Sequence, residues 1–374
     1  MSRIFLALTT WWCFMKTKDK DVKFMRFLFK VLLSAFRVRN GIVDALGDGE
    51  DEERVPESQE YRAYRDVVLA LSRENEIISP KKWAFAMRTS VWNDFFESHI
   101  QTRRLVLGGV ETFEFKYPGA VKNDSKTILY LHGGAYTAGH PMSYKTFSGT
   151  LSRGCSMRVI SVNYTLGYVP SAVRDSLAVY RDLVKVRGIS PYEISIAGDS
   201  AGGGLTLLLL AAIRDEGLPM CACAVPISPW CDLTNSGASM KEGRDILLRN
   251  TKQFDEFSLL AVGRDSTLLS DPKCSPLFQS FQNLCPLYIV CGESEALRDD
   301  SIRAAKRARS QGVRVHLDIV EFMPHIFPVF GSFLPEGAAA TSRICDFITK
   351  HCQGVEPSIR SSNDGETNRL RSRM

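Results

Sequence analysis

A serine can act as a nucleophile only if the chain exposes its hydroxyl, hands its proton to a base and stabilises the charge that forms. Gly198-Asp199-Ser200-Ala201-Gly202 has the residue types for the first of these tasks. It is a G-x-S-x-G run placed directly after an apolar stretch at 193–197 and before a long helical run, LTLLLLAAIRDEG. In that context the glycines allow a turn too sharp for side chains, and the serine sits strained at a helix N-terminus. Neither G-x-G-x-x-G nor GK[ST] is present, so a nucleotide loop is disfavoured.

Acyl transfer builds negative charge on a carbonyl oxygen, and pre-aimed backbone N–H groups are the usual means of stabilising it. A second glycine pair follows another apolar stretch at 127–131, as His132-Gly133-Gly134-Ala135-Tyr136. Gly133 and Gly134 are the expected donors, with the N–H of Ala201 as the third. His132 reads as an organiser of this loop rather than as a base.

A serine nucleophile also needs a base and an orienting acid, in the chain order Ser, acid, His for this kind of sheet. Of the six histidines, His99, His132 and His140 precede the serine, His316 lies inside a strand pattern, and His351 is near the end of the last helix. His325, in Met323-Pro324-His325, is both late in the chain and just past a strand. The acid should follow the apolar stretch at 287–291. Three carboxylates stand there: Glu293, Glu295 and Asp299.

Parts of this kind must be held by a rigid scaffold. From about residue 110, strand patterns at 127–131, 158–162, 193–197, 222–227, 287–291 and 313–320 are interleaved with helical patterns at 171–186, 201–215, 299–311 and 336–351. Short continuous apolar strands with helical crossovers predict an α/β fold, a mostly parallel sheet covered by helices on both faces. In such sheets ligands bind beyond the carboxyl ends of the strands, where the serine, the glycine pair and His325 all fall. Residues 61–104 read as helices.

With the two glycine motifs in this order, the sequence resembles the hormone-sensitive-lipase-like family of α/β-hydrolases, which includes arylacetamide deacetylases and many microbial carboxylesterases. HGGAY and GDSAGG carry the resemblance, which spans roughly residues 105–352. It implies the α/β-hydrolase fold and a serine carboxylesterase acting on small or lipophilic carboxylic esters through Ser200, His325 and an acid. The family's motif places that acid three residues after a glycine and two before a leucine, which is Glu295 here; most members carry Asp. Asp299 is the second choice, with a helix cap as its competing role, and Glu293 the third. A further family segment matches at Tyr164 and Asp175, with an altered middle. The resemblance also implies a helical cap, over about 61–104 and 230–275, whose aromatics would line an apolar pocket. No cofactor or metal is implied. An amidase would use the same residues. Plant gibberellin receptors resemble this family but have lost the histidine that stands here as His325.

The rest of the 374-residue chain bounds the setting. A net charge of +5 and the lack of a basic stripe with interleaved aromatics give no reason to expect a nucleic-acid partner. Residues 1–40 carry a net +7 and residues 41–60 a net −7, the mark of an appendage. The 12-residue apolar run at 4–15 is short for a membrane span, which needs about 20. On a helix over 22–38, Lys23, Arg26, Lys30, Ser34 and Arg37 form a narrow basic stripe beside a wide apolar face. Such a helix suits a membrane interface, so residues 4–38 are expected to associate with a membrane surface. The location is then either membrane-associated, with the endoplasmic reticulum as the candidate organelle, or cytoplasmic. The expected organisation is a hydrophobic and basic segment over 1–46, an acidic linker over 47–60, the catalytic domain over 61–352 and a disordered tail over 353–374. Ten cysteines without zinc spacing read mostly as free thiols.

Overall fold

The computed structural model describes residues 58, 60–62, 64–65, 100–248, 252–331 and 334–353. The expectations for 1–46, for most of the linker and of 61–99, and for the tail beyond Gln353 lie outside these residues.

Among the described residues, eight strands form one sheet in the order β1-β2-β4-β3-β5-β6-β7-β8. They are β1 Gln101–Leu107, β2 Val110–Lys116, β3 Thr127–Leu131, β4 Arg158–Val162, β5 Ile194–Asp199, β6 Cys223–Ile227, β7 Leu287–Gly292 and β8 Val315–Val320. β1 pairs antiparallel with β2, and β2 antiparallel with β4; every other neighbouring pair is parallel. Helices α1 Lys145–Cys155, α2 Val169–Arg181, α3 Ala201–Asp215, α4 Lys252–Ala261, α5 Arg298–Ser310 and α6 Pro335–His351 surround it.

The continuous apolar strands exist because both faces of the sheet are covered. β3, β5, β6 and β7 are buried at every position. Their alternate residues feed two separate cores. Leu129, Leu131, Ile194, Ile196, Leu287 and Ile289 pack with side chains of α2, α3 and α5. Ile128, Tyr130, Ala197, Tyr288 and Val290 pack with side chains of α1 and α6.

Three elements differ from the sequence expectations. Residues 101–104 belong to β1 rather than to a helical cap, and β1 with β2 makes a hairpin. Its two-residue turn, Gly108-Gly109, takes φ of +56° and +80°, the geometry for which glycine pairs are favoured. Helix α1, KTFSGTLSRGC, carries two glycines and several Ser and Thr residues, a poor intrinsic helix former. It forms because Phe147, Leu151 and Cys155, four residues apart, bury one face in the second core. Among its described residues, the stretch 230–275 holds α4 and two single 3-10 turns, Ala238–Lys241 and Ser266–Leu268.

The chain enters this body through helical residues 60–62 and 64–65. Tyr61 and Tyr64 are buried in the second core, and Ser58 N–H donates to Glu336 Oε1 at 3.1 Å. Among the described residues no helix is long and apolar enough to cross a membrane.

Candidate active site

Ser200 links the end of β5 to the start of α3 with φ +55° and ψ −121°. That is a strained conformation for a residue with a Cβ, costing on the order of 1–3 kcal/mol. The flanking glycines are steric necessities, since a Cβ on Gly202 would sit 2.0 Å from Leu131 O, and one on Gly198 2.4 Å from Gly202 O. The turn is fixed from β6 as well. Ser200 N–H donates to Ile227 O at 2.8 Å, and Trp230 N–H donates to Ser200 O at 2.9 Å.

The structure brings Ser200, His325 and Glu295 together in one line. Ser200 Oγ lies 2.9 Å from His325 Nε2, and His325 Nδ1 lies 2.9 Å from Glu295 Oε2. The other carboxylate oxygen, Oε1, accepts Gly292 N–H at 3.0 Å. Glu295 and His325 are buried, while Ser200 keeps partial exposure. Burial raises the Glu295 carboxyl above its ordinary range, opposed first by the Ser228 hydroxyl and then by Gly292 N–H. Burial likewise lowers the His325 imidazole, opposed by the charges of Asp245 and Asp199. Both shifts disfavour an ion pair at rest. The donors around Glu295 favour its carboxylate facing Nδ1–H of a neutral imidazole, which leaves Nε2 able to take a proton from Ser200.

The other two candidate acids are engaged elsewhere. Glu293 makes a two-pronged pair with Arg244 at 2.6 and 2.7 Å. Asp299, in the first turn of α5, accepts Ser239 N–H at 3.0 Å. Among the other described histidines, His140 caps a 3-10 turn, accepting Met142 N–H at Nδ1, His316 stacks on Tyr288 and His351 bonds to Phe347 O.

The glycine loop needs one correction. Gly133 N–H donates to Asp199 Oδ1 at 2.9 Å, so it is not available to a substrate oxygen as the sequence led us to expect. Among the described residues, the N–H groups of Gly134, Ala135 and Ala201 have no protein acceptor. Gly134, Ala135 and Tyr136 follow one another with φ of +123°, +54° and +57°, so the loop curls tightly just after β3. Ala135 N–H is therefore a candidate donor that the sequence reading did not name, one position past Gly133, whose N–H is taken.

Asp199, which the sequence reading left without a role, makes that claim. It is fully buried and accepts Tyr130 Oη at 2.7 Å, Tyr144 Oη at 3.0 Å and Gly133 N–H. Burial pushes its carboxyl up to about 6 against these three donors. Standing next to Ser200 in the chain, it ties the glycine loop to the Ser200 turn. His132 is the organiser the sequence suggested. Its ring stacks on Tyr164 at 4.3 Å, Tyr164 Oη donates to His132 O at 2.6 Å, and burial lowers the imidazole to about 4. The altered family segment closes locally, with Asp175 accepting the N–H and hydroxyl of Thr165.

Aromatics of the insert pack on one another beside this loop. Trp230 meets Phe254 edge-on at 5.4 Å and Tyr136 at 6.2 Å, and Phe257 meets Phe254 at 6.4 Å. Trp83, Phe85, Trp92, Phe95 and Phe96 lie outside the described residues.

The comparisons with known proteins agree with this geometry. The family model Abhydrolase_3, alpha/beta hydrolase fold, matches residues 128–329. An acetyl-hydrolase of Streptomyces hygroscopicus is 36% identical over 224 residues, 59% of this chain and 74% of its own. An esterase of Acinetobacter venetianus is 31% identical over 260 residues, 67% of this chain and 82% of its own. Among solved structures, an esterase from the bacterial hormone-sensitive lipase family is similar with a TM-score of 0.71 at 30% identity, over 80% of this chain and 100% of that one. The chain belongs to the Abhydrolase_3 family of the α/β-hydrolase fold, among the hormone-sensitive-lipase-like esterases.

Proposed function

We propose that this carboxylic ester hydrolase works by a Ser-His-acid acyl-enzyme mechanism with Ser200 as nucleophile, His325 as general base and Glu295 as the orienting acid. The observation that carries the reading is the unbroken line of two 2.9 Å contacts from Ser200 Oγ through the imidazole to Glu295. His325 Nε2 takes the Ser200 proton as Oγ attacks the ester carbonyl. The N–H groups of Gly134, Ala135 and Ala201 receive the oxyanion, helped by the N-terminus of α3. His325 then protonates the departing alcohol, and water repeats the sequence to release the acid. The acetyl-hydrolase relative supports a short acyl group.

The test is hydrolysis of p-nitrophenyl esters from acetate to palmitate across pH. Turnover is expected to be highest at the short end. The base must be deprotonated to act, so kcat/KM rises with pH through the His325 ionisation. Burial lowers that ionisation, so the midpoint of the rise is expected below the ordinary imidazole value of 6.5. A folded protein inert on every ester, or an acid limb centred well above that value, would count against the reading.

The sequence pattern of residues 22–38, basic positions at helical spacing among apolar ones, supports a second element, association with a membrane surface. The full chain is expected to sediment with phosphatidylserine-containing vesicles, less so at high salt. A Lys23→Glu, Arg26→Glu, Lys30→Glu variant should lose this binding while keeping its esterase rate in solution. Unchanged sedimentation of that variant would dismiss the idea.

A further inference from the structure

The loops that follow β6, β7 and β8 converge on a single hydroxyl. Ser228 is the first residue after β6. It is fully buried, and its N–H donates to Val290 O of β7 at 2.7 Å. Its Oγ accepts the N–H of Ile326, the residue after His325, at 3.1 Å. Two of these residues hold conformations that L side chains rarely adopt, with φ of +44° at Ser228 and +50° at Ile326. Glycine would relieve the first of these strains, so a serine here is kept at a cost in backbone energy. The neighbours of Ser228 in sequence face the other way. Ile227 O and the N–H of Trp230 bind the backbone of Ser200 on both sides. The four residues 227–230 thus grip the nucleophile turn with two bonds and the His325 turn with one.

We infer that Ser228 is a positioning residue for ester hydrolysis: its hydroxyl ties the turn carrying His325, and the Glu295 carboxylate beside it, to the segment that holds Ser200. The inference rests on the triad reading above. A hydroxyl that accepts from Ile326 N–H has its own proton free for the carboxylate, and that donation works against the burial of Glu295. Glu295 carries one methylene more than the aspartate most frequent in the family, and Ser228 helps fix where the longer chain ends.

The hydroxyl also has an electrostatic consequence. It stabilises the carboxylate and, being a donor, disfavours added positive charge nearby. Removing it makes the Glu295–His325 pair easier to protonate, so the acid limb of the rate profile moves up. The other groups facing the pair are Asp245 and Asp199, toward His325, and Cys291 with the N–H groups of Gly292 and Ile326, toward Glu295. None of these residues is replaced in the test, and Ile326 N–H, which loses Ser228 as acceptor, keeps Glu295 within reach.

The experiment compares wild type, Ser228→Ala, Ser228→Gly and Ser200→Ala on p-nitrophenyl acetate, each normalised to folded protein by thermal melting. Both Ser228 variants are expected to lose about tenfold or more in kcat, the weight of one hydrogen bond to a charged group. KM should change little, and the acid limb should shift upward. Ser228→Gly should melt no lower than Ser228→Ala, because it sheds the backbone strain. Wild-type kcat and an unshifted acid limb in folded Ser228→Gly would overturn the inference while an inert Ser200→Ala left the triad intact. A kcat loss matched by loss of folded protein, with no pH shift, would overturn it too. Activity persisting in Ser200→Ala would remove both readings together.

Discussion

Ser200→Ala is expected to lower kcat for ester hydrolysis by about a millionfold, His325→Ala by a similar factor, and the double variant by no more than either alone. The reason is that the two residues perform one act. Ser200 Oγ is a weak nucleophile until His325 Nε2, 2.9 Å away, takes its proton as the bond forms. Without the base the hydroxyl scarcely attacks, and without the hydroxyl the base has nothing to activate. A residual acceleration of about 1,000-fold to 10,000-fold over water should survive, because the free N–H groups of Gly134, Ala135 and Ala201 still face a bound carbonyl. The check is steady-state turnover of all three variants beside labelling with a fluorophosphonate, which should modify wild type at Ser200 and leave Ser200→Ala untouched. Additive losses, or a drop in Ser200→Ala of less than about a hundredfold, would show that the hydroxyl is not the attacking group.

The parts of this site differ in how legible they were, and the difference follows how local each constraint is. The nucleophile turn is set by neighbours in sequence: Gly198 and Gly202 flank Ser200 at fixed spacing, between a buried strand and a helix. The candidate base was legible by elimination, because few histidines fall late in the chain and just past a strand. The acid was not, from the residues alone. Glu293, Glu295 and Asp299 lie within one short loop, and only tertiary partners separate them: Arg244 for Glu293, Ser239 for Asp299 and His325 for Glu295. The family motif pointed to Glu295 without giving that reason. The donor loop failed by one residue for a similar cause. Gly133 N–H is taken by Asp199, 66 positions away, and no local pattern announces that bond. Ser228 is the extreme case, since its meaning depends on three loops that meet only in the fold. The β1–β2 hairpin is the opposite case. Its glycine pair was a readable signal, but the polar, largely exposed β1 has no apolar alternation to draw attention to it.

Glu295→Gln is expected to cost about 10,000-fold in kcat while leaving the fold intact, as an acid-to-amide change in such a triad does. The side chains are nearly the same size, so the effect is one of protons and charge. In the native site Oε1 accepts Gly292 N–H at 3.0 Å and Oε2 faces His325 Nδ1 at 2.9 Å. Both positions call for an acceptor, and an amide has only one acceptor to offer. If its oxygen stays on Gly292 N–H, its NH2 faces Nδ1. The imidazole must then carry its proton on Nε2, where it cannot take one from Ser200. If the amide turns round, its NH2 is pressed against Gly292 N–H, and a buried donor is left unsatisfied at a cost of about 1–3 kcal/mol. Either way the negative charge that would support the imidazolium is gone. Glu295→Asp separates reach from charge: it keeps the carboxylate but withdraws it by one methylene, so it should fall between wild type and Glu295→Gln, with most of its loss in kcat. The measurement is kcat and KM for the three proteins on p-nitrophenyl acetate, with melting curves to show equal folding. A Glu295→Gln rate within about tenfold of wild type would mean that the carboxylate props up the loop and does not orient the base.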